Sequence, residues 1–269
     1  MTGPGHRTSG WEPDLAVEDT LLRHFVFALT AVNTDIARAM GGRVLEHDGV
    51  VAADLGTPNA IFNAAVLTRP HDEVGWDGVL DTLDAFYGNG TGQVLLFSPW
   101  TTPDLRDRGW ELEGHPPFLV RPPGLVPPPV PNGLEIREVT DREALVDLKR
   151  VIVAGFPFDE HQPFDPDAWL DERVLELPGH QLFVGYADGD AVAGGWLLRY
   201  AGLGVPILGA TLPHARGRGY WKGMLGRRLR AADGCPVASL FSDMSRPGAE
   251  HCGFLPVTRF TVWHRARRS

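Results

Sequence analysis

The stretch LPHARGRGYW, residues 212–221, decides how this chain folds. Before it, residues 205–212 (VPILGATL) form an apolar run that reads as a strand closed by Pro213. After it, Trp221, Met224, Leu225 and Leu229 recur at three- and four-residue steps, the spacing of one helix face. Between strand and helix lie Gly217 and Gly219, flanked by Arg216 and Arg218. Such a turn gathers backbone N–H groups into one concavity at the positive end of a helix. Glycine permits the backbone conformation and the close approach of an anion, both of which a Cβ would obstruct. The pattern predicts a place to hold phosphate. The plain alternative is an exposed arginine- and glycine-rich turn with no ligand.

Two familiar phosphate motifs do not fit. The lysine-tipped loop G-x-x-x-x-G-K-[ST] is absent. The dinucleotide fingerprint G-x-G-x-x-G fails because Lys222 stands at the third glycine, with no acidic ribose ligand downstream. What fits is [QR]-x-x-G-x-[GA], read over Arg216, Gly217, Arg218, Gly219, Tyr220 and Trp221, with Trp221 in place of the usual small residue. Here the chain resembles the GCN5-related N-acetyltransferase superfamily, whose members cradle the pyrophosphate of acetyl-coenzyme A (acetyl-CoA) in this loop. The resemblance spans about residues 134 to 266. Downstream, residues 236–241 (PVASLF) read as a buried strand, followed by Ser242, a short helix and the pair Gly253-Phe254. Residues 260–264 (FTVWH) would form the last strand of that copy.

The resemblance implies a cofactor site. The diphosphate would rest on the turn from Arg216 to Trp221, the pantetheine arm would run beside Gly209, Ala210 and Thr211, and Ser242 would bond that arm. The same strand backbone could polarise the thioester carbonyl. One position departs from the family: the tyrosine that protonates the departing thiolate would stand at Ala249, between Gly248 and Glu250. The remaining proton donors are Ser245, Tyr220, His251 or water, and general acid help is worth roughly a hundred- to ten-thousand-fold. Between the first helix and the next lies the stretch 156–164 (FPFDEHQPF), where the family builds its acceptor wall. Phe158, Asp159 and Glu160 are the candidate substrate contacts, and Glu160 and His161 the candidate catalytic groups with Ser245. A solvated loop with ordinary charges is the other reading. His71, His214, Trp169, Trp196 and Trp263 read as structural, with lining of the acceptor channel from a sheet face as the alternative for Trp196.

The chain also echoes itself. Ser98, Pro103 and Gly109 recur as Ser242, Pro247 and Gly253, always 144 residues apart, and Arg69-Pro70-His71 parallels Leu212-Pro213-His214. So long a period indicates duplicated domains. After His71 the first copy reads Asp72-Glu73-Val74-Gly75-Trp76-Asp77, without the arginines or the glycine pair. Three carboxylates repel a diphosphate, so the first copy is expected to hold no cofactor and to wall the acceptor side.

Length and composition agree. The 269 residues suffice for two domains, and residues 121–133 (RPPGLVPPPVPNG) read as a stiff extended connector. A net charge of −9 argues against nucleic acid as partner. No apolar run is long enough to cross a bilayer and no leader opens the chain. Cys235 and Cys252 lack metal-ligand spacing, and a cytoplasmic location follows. Residues 1–9 are glycine-rich and read as mobile, and Arg265, Arg267 and Arg268 as a small solvated patch. Further elements read from periodicity are helices at 19–40 and 76–87, a strand at 59–67, a strand at 134–139, and a helix to Val153 opened by a Thr140–Glu143 capping box. A hairpin follows around Asp188-Gly189-Asp190.

The expected architecture is α/β (a mixed-sheet α+β fold): two GCN5-related domains in tandem, each a central mixed β-sheet flanked by helices. A degenerate copy would occupy residues 1–125, a proline-rich linker 126–133, and the cofactor-binding copy 134–269. The expected activity is acetyl transfer from acetyl-CoA to a primary amine of a small molecule, by direct attack in a ternary complex, with no metal. A monomer or homodimer would suffice. The alternative is a coenzyme A (CoA)-binding protein of this fold without transferase activity, a sensor or partner-binding module, or other acyl-CoA chemistry.

Overall fold

Residues 11, 15–88, 92–156 and 158–266 are described by the computed structural model. Residues 1–9, Arg267 and Arg268, on which two of the sequence expectations fall, lie outside them. The first half runs α1 (Leu21–Ala39), β1 (Arg43–His47), β2 (Val50–Asp54), β3 (Ala64–Leu67), α2 (Glu73–Tyr87), β4 (Gln93–Ser98), β5 (Glu111–Gly114) and β6 (Pro117–Arg121). The second runs β7 (Glu135–Glu138), α3 (Arg142–Gly155), β8 (His180–Ala187), β9 (Asp190–Tyr200), β10 (Leu203–Thr211), α4 (Tyr220–Ala231), β11 (Val237–Leu240), α5 (Arg246–His251), β12 (Leu255–Arg259) and β13 (Thr261–Ala266).

Local chemistry sets the boundaries. Thr20 caps α1, its hydroxyl accepting from the Arg23 N–H at 3.1 Å. The cap of α3 is Asp141, one residue later than the expected Thr140, with its carboxylate accepting from the Ala144 N–H at 2.9 Å. The strand expected at 59–67 shortens to 64–67. Asn59 and Asn63 bond the backbone around them instead: Asn63 Nδ2 donates to the carbonyls of Thr57 and Asn59, and Asn59 Oδ1 accepts from the Ile61 N–H.

The strands form two mixed sheets, ordered β1-β2-β3-β4-β13-β5 and β12-β6-β11-β10-β9-β8-β7. Each is antiparallel but for one parallel pair, β3 with β4 and β10 with β11. The last strand corrects the sequence reading. It forms at 261–266, but it pairs with β4 and β5 in the first sheet, from Thr261 opposite Ser98 to Ala266 opposite Gln93. In exchange, β6 crosses into the second sheet between β11 and β12. Alternation alone cannot tell one sheet from another, because an apolar-polar strand satisfies either.

One core joins the halves. Phe25, Val26, Val32 and Ile36 of α1, with Phe62 and Val66, pack with Phe118, Leu148, Ile152, Trp196 and Val205. Full burial of each such side chain contributes about 1.5–3 kcal/mol. The proline-rich linker is also no free connector: Val130 packs on the second sheet's core, and the Pro128 carbonyl accepts from Arg230 Nη1 at 3.0 Å.

Candidate functional site

The parallel pair of the second sheet is barely closed. Strands β10 and β11 pair only at Gly204 with Val237, near the start of β10. Ser239 Oγ donates to the Pro206 carbonyl at 2.7 Å and closes the apex of the opening. Beyond it, β10 bulges. Its register against β9 shifts between Ile207 and Ala210, and Leu208 takes φ +50°, a conformation uncommon for a branched residue. A cleft of about 280 Å³ results, walled by Ile207, Leu208 and Gly209 on one side and by Leu240, Phe241 and Ser242 on the other. The first half shows the contrast: Ala64, Ala65 and Val66 of β3 each pair with β4, and the corresponding gap is zipped shut.

The turn before α4 leaves its donors free. Gly217 and Gly219 sit at φ +80° and +79°, and Gly219 caps α4 with no side chain over the helix end. Among the described residues, no protein acceptor takes the N–H groups of residues 217 to 222. Residues 216 to 219 are exposed to solvent. The Arg216 side chain turns away from this concavity, donating to the carbonyls of Thr211 and Gly155, each at 3.2 Å, and thereby fixes the turn to β10 and α3. In the first half the equivalent helix end is capped from within, where the Asp72 carboxylate accepts from the Gly75 N–H at 2.8 Å.

The overall architecture is shared with known structures. The chain is similar to a GCN5-related N-acetyltransferase from Kribbella flavida, at TM-score 0.62 and 16% identity over 88% of this chain and 95% of that one. A functionally unknown conserved protein from Staphylococcus epidermidis aligns at TM-score 0.60 and 13% identity, over 85% and 96%. A GCN5-related N-acetyltransferase from Sphaerobacter thermophilus aligns at 0.53 and 15%, over 82% and 78%. The chain has the GCN5-related N-acetyltransferase fold. No protein-family model and no curated protein matches its sequence.

Within the GCN5-related fold the side chains singled out from the sequence divide into two groups. Gly209, Trp221, Ser242 and Ser245 line the cleft. The Trp221 indole leans toward α5, 6.4 Å from the Phe241 ring and against Gly248, so it forms a wall of the cleft. Ser242 and Ser245 bond each other, Oγ to Oγ at 3.0 Å. Ala210 and Thr211 pair with Gly194 and Ala193 of β9, and the buried Thr211 hydroxyl has no partner among the described residues. Tyr220 is buried in the core, not in the cleft. His251 Nδ1 lies 2.6 Å from the Pro247 carbonyl, and Ala249 is fully buried in the core. Of the candidate acids, only Ser245 reaches the cleft.

Glu160 and His161 lie elsewhere. They face a separate cavity of about 390 Å³ shared with Gly56, Thr57 and Pro58 of the first half. Glu160 Oε1 accepts from Gln93 Nε2 at 3.3 Å. Burial holds the His161 imidazole below its ordinary pKa, and its buried Nε2 has no partner among the described residues. The Phe158 ring stacks on Phe156 and packs against the core, and Asp159 opens a short 3-10 turn. A further cavity of about 780 Å³ is walled by Glu135, Glu138, Asp141, Glu143, Asp147 and Asp188 around Arg137, a mainly acidic lining that repels polyphosphate.

Arg228 escaped the sequence reading. It lines the cleft from α4, is 3% exposed, and burial lowers its pKa to about 10. Position 228 continues the apolar stripe of Trp221, Met224 and Leu225. A lone charge on a buried helix face was the signal available.

Proposed function

We propose that this chain transfers an acetyl group from acetyl-CoA to a primary amine of a small molecule, within a ternary complex. What carries the reading is one conjunction: free amide donors at the start of α4 open onto the unpaired edge of a splayed β10. The N–H groups of Gly217, Arg218, Gly219, Tyr220 and Trp221 would hold the diphosphate, with the helix dipole adding its favourable field. The pantetheine arm would lie along the free side of Gly209, Ala210 and Thr211, as an added strand does, with Ser242 across the cleft. The bound thioester supplies an activated acyl carbon.

The acceptor side is a second chamber of about 230 Å³, meeting the cleft at Ile207, Leu208, Ser239 and Leu240. Phe25, Leu29, Val32, Ile61, Phe62 and Phe97 line it, so the first half forms most of its wall. Its polar groups are Asn33 and Ser239, and no titratable side chain is among its lining. The chamber suits an amine with an apolar body that loses its proton to water. Glu160 and His161, the candidate bases by sequence, line a separate cavity.

Ala249 favours a second reading, a CoA-binding protein without transfer, because no tyrosine lines the cleft. One experiment separates them: thermal shift with acetyl-CoA, run beside thiol release with a panel of small amines. The acyltransferase reading expects a stabilising shift and thiol release with at least one apolar amine. A shift with no turnover on any amine favours the second reading, and no shift removes both.

A further inference from the structure

We propose that Arg228 is a catalytic residue whose guanidinium stabilises the thiolate leaving the acyl donor, in the role for which α5 supplies no tyrosine. The inference rests on the cleft being an acyl-CoA site.

The position is built at a cost. Arg228 is a cation buried in a cleft wall, and among the described residues no carboxylate pairs with it. Two strands make room for it. A methyl at Gly195 of β9 would come within 2.9 Å of its Cζ, and one at Gly209 of β10 within 2.7 Å of its Nη2. Its donors are unevenly used. Nε donates to the Met224 carbonyl at 3.3 Å, and Nη1 to those of Ile207 and Trp196 at 3.1 and 3.5 Å. Nη2 has no acceptor among the described residues, and it abuts Gly209 where the bulge releases β10 from its neighbour. The arginine is thus anchored by two of its nitrogens and offers the third to the cleft. A buried charge left without an anion is unfavourable unless a ligand supplies one.

The step balances without a new reactant. The amine lone pair forms the C–N bond, the C–S bond breaks with its electron pair staying on sulfur, and the surplus amine proton passes to water. Arg228 stays protonated throughout and donates Nη2 hydrogen bonds to the anionic sulfur, a charge-assisted contact strengthened by burial. Among the described residues lining the cleft, Arg228 is the single titratable side chain, so a pH response there belongs to it and to the ligand thiol.

The test compares binding of CoA and of desulfo-CoA, by calorimetry between pH 6.5 and 9.5, to the full chain and to Arg228→Gln and Arg228→Lys. For the wild type, CoA affinity is expected to rise at least tenfold as the thiol ionises, with desulfo-CoA flat. Arg228→Lys should keep part of that rise, whereas Arg228→Gln should lose it and still bind desulfo-CoA. Parallel pH profiles for the two ligands on the wild type overturn the inference alone, and that comparison needs no variant to fold. A rise that survives in Arg228→Gln also overturns it. So does succinyl-CoA binding tenfold more tightly than acetyl-CoA to the wild type only, which would make Arg228 a reader of acyl carboxylates. If neither CoA nor desulfo-CoA binds, the acyltransferase reading falls and takes this inference with it.

Discussion

Gly219 carries two separate demands, and substitutions can pull them apart. Its φ of +79° puts it in the left-handed region, where any other residue costs about 1–2 kcal/mol. Its surroundings are open: the nearest atom to an added Cβ is the Pro131 Cβ, 4.0 Å away. Gly219→Ala therefore adds strain without a clash, and Gly219→Glu adds a carboxylate at the mouth of the amide concavity as well. Both variants should fold, with melting temperatures lowered to a similar extent. The acetyl-CoA thermal shift should be reduced in Gly219→Ala and abolished in Gly219→Glu. An undiminished shift in the glutamate variant would place the diphosphate somewhere else. Arg216, beside it in the motif, acts differently from what the pattern implies: its side chain ties the turn to Thr211 and Gly155 and leaves the anion to backbone groups.

At the scale of elements, helix α4 is shaped by what covers its outer face. Gly223 and Gly226 form a shallow groove in which Pro131 and Pro128 lie. A Cβ at Gly226 would stand 2.1 Å from the Pro128 carbonyl oxygen, a backbone atom with little freedom to move. Gly226→Ala should destabilise by about 1–3 kcal/mol, as overpacked sites do, despite the higher helix propensity of alanine. Gly78→Ala in α2, where an added Cβ meets nothing within 4 Å, should stabilise by up to about 1 kcal/mol. Urea denaturation of both variants checks the pair. If both stabilise, the linker is not held on α4. The same contrast marks what was readable beforehand. Helix α4, the turn and strand β10 follow from local spacing and punctuation, which a single sequence displays. The bulge at Leu208 does not, because a leucine at φ +50° is imposed by surroundings that local preference opposes. The splay was equally hidden, since an apolar run reads alike whether its neighbour is a strand or a ligand. In the first half, the acidic start of α2 was legible at Asp72, but the zipped pairing of β3 with β4 was not.

For the whole molecule, the exchange of strands between the two sheets predicts halves that do not survive separation. Strand β13 fills the slot between β4 and β5, and β6 fills the slot between β11 and β12. Phe118 on β6 and Phe260 beside β13 both pack on Phe25, at ring distances of 4.7 and 5.7 Å, so α1 touches the strands on both sides of the exchange. A chain cut within the linker would leave each sheet without an internal strand, exposing N–H and C=O groups that water alone must then satisfy. It would also open the chamber that the first half closes over Ile207 and Leu208. Two independent domains would melt separately and survive the cut. The exchanged arrangement predicts otherwise. The intact protein should unfold in one cooperative transition. Fragments 1–125 and 126–269 expressed singly should show no sharp melt, and their co-expression should restore a complex with a single transition. A sharp melt of either fragment alone would mean that its sheet closes without the strand supplied by the other half.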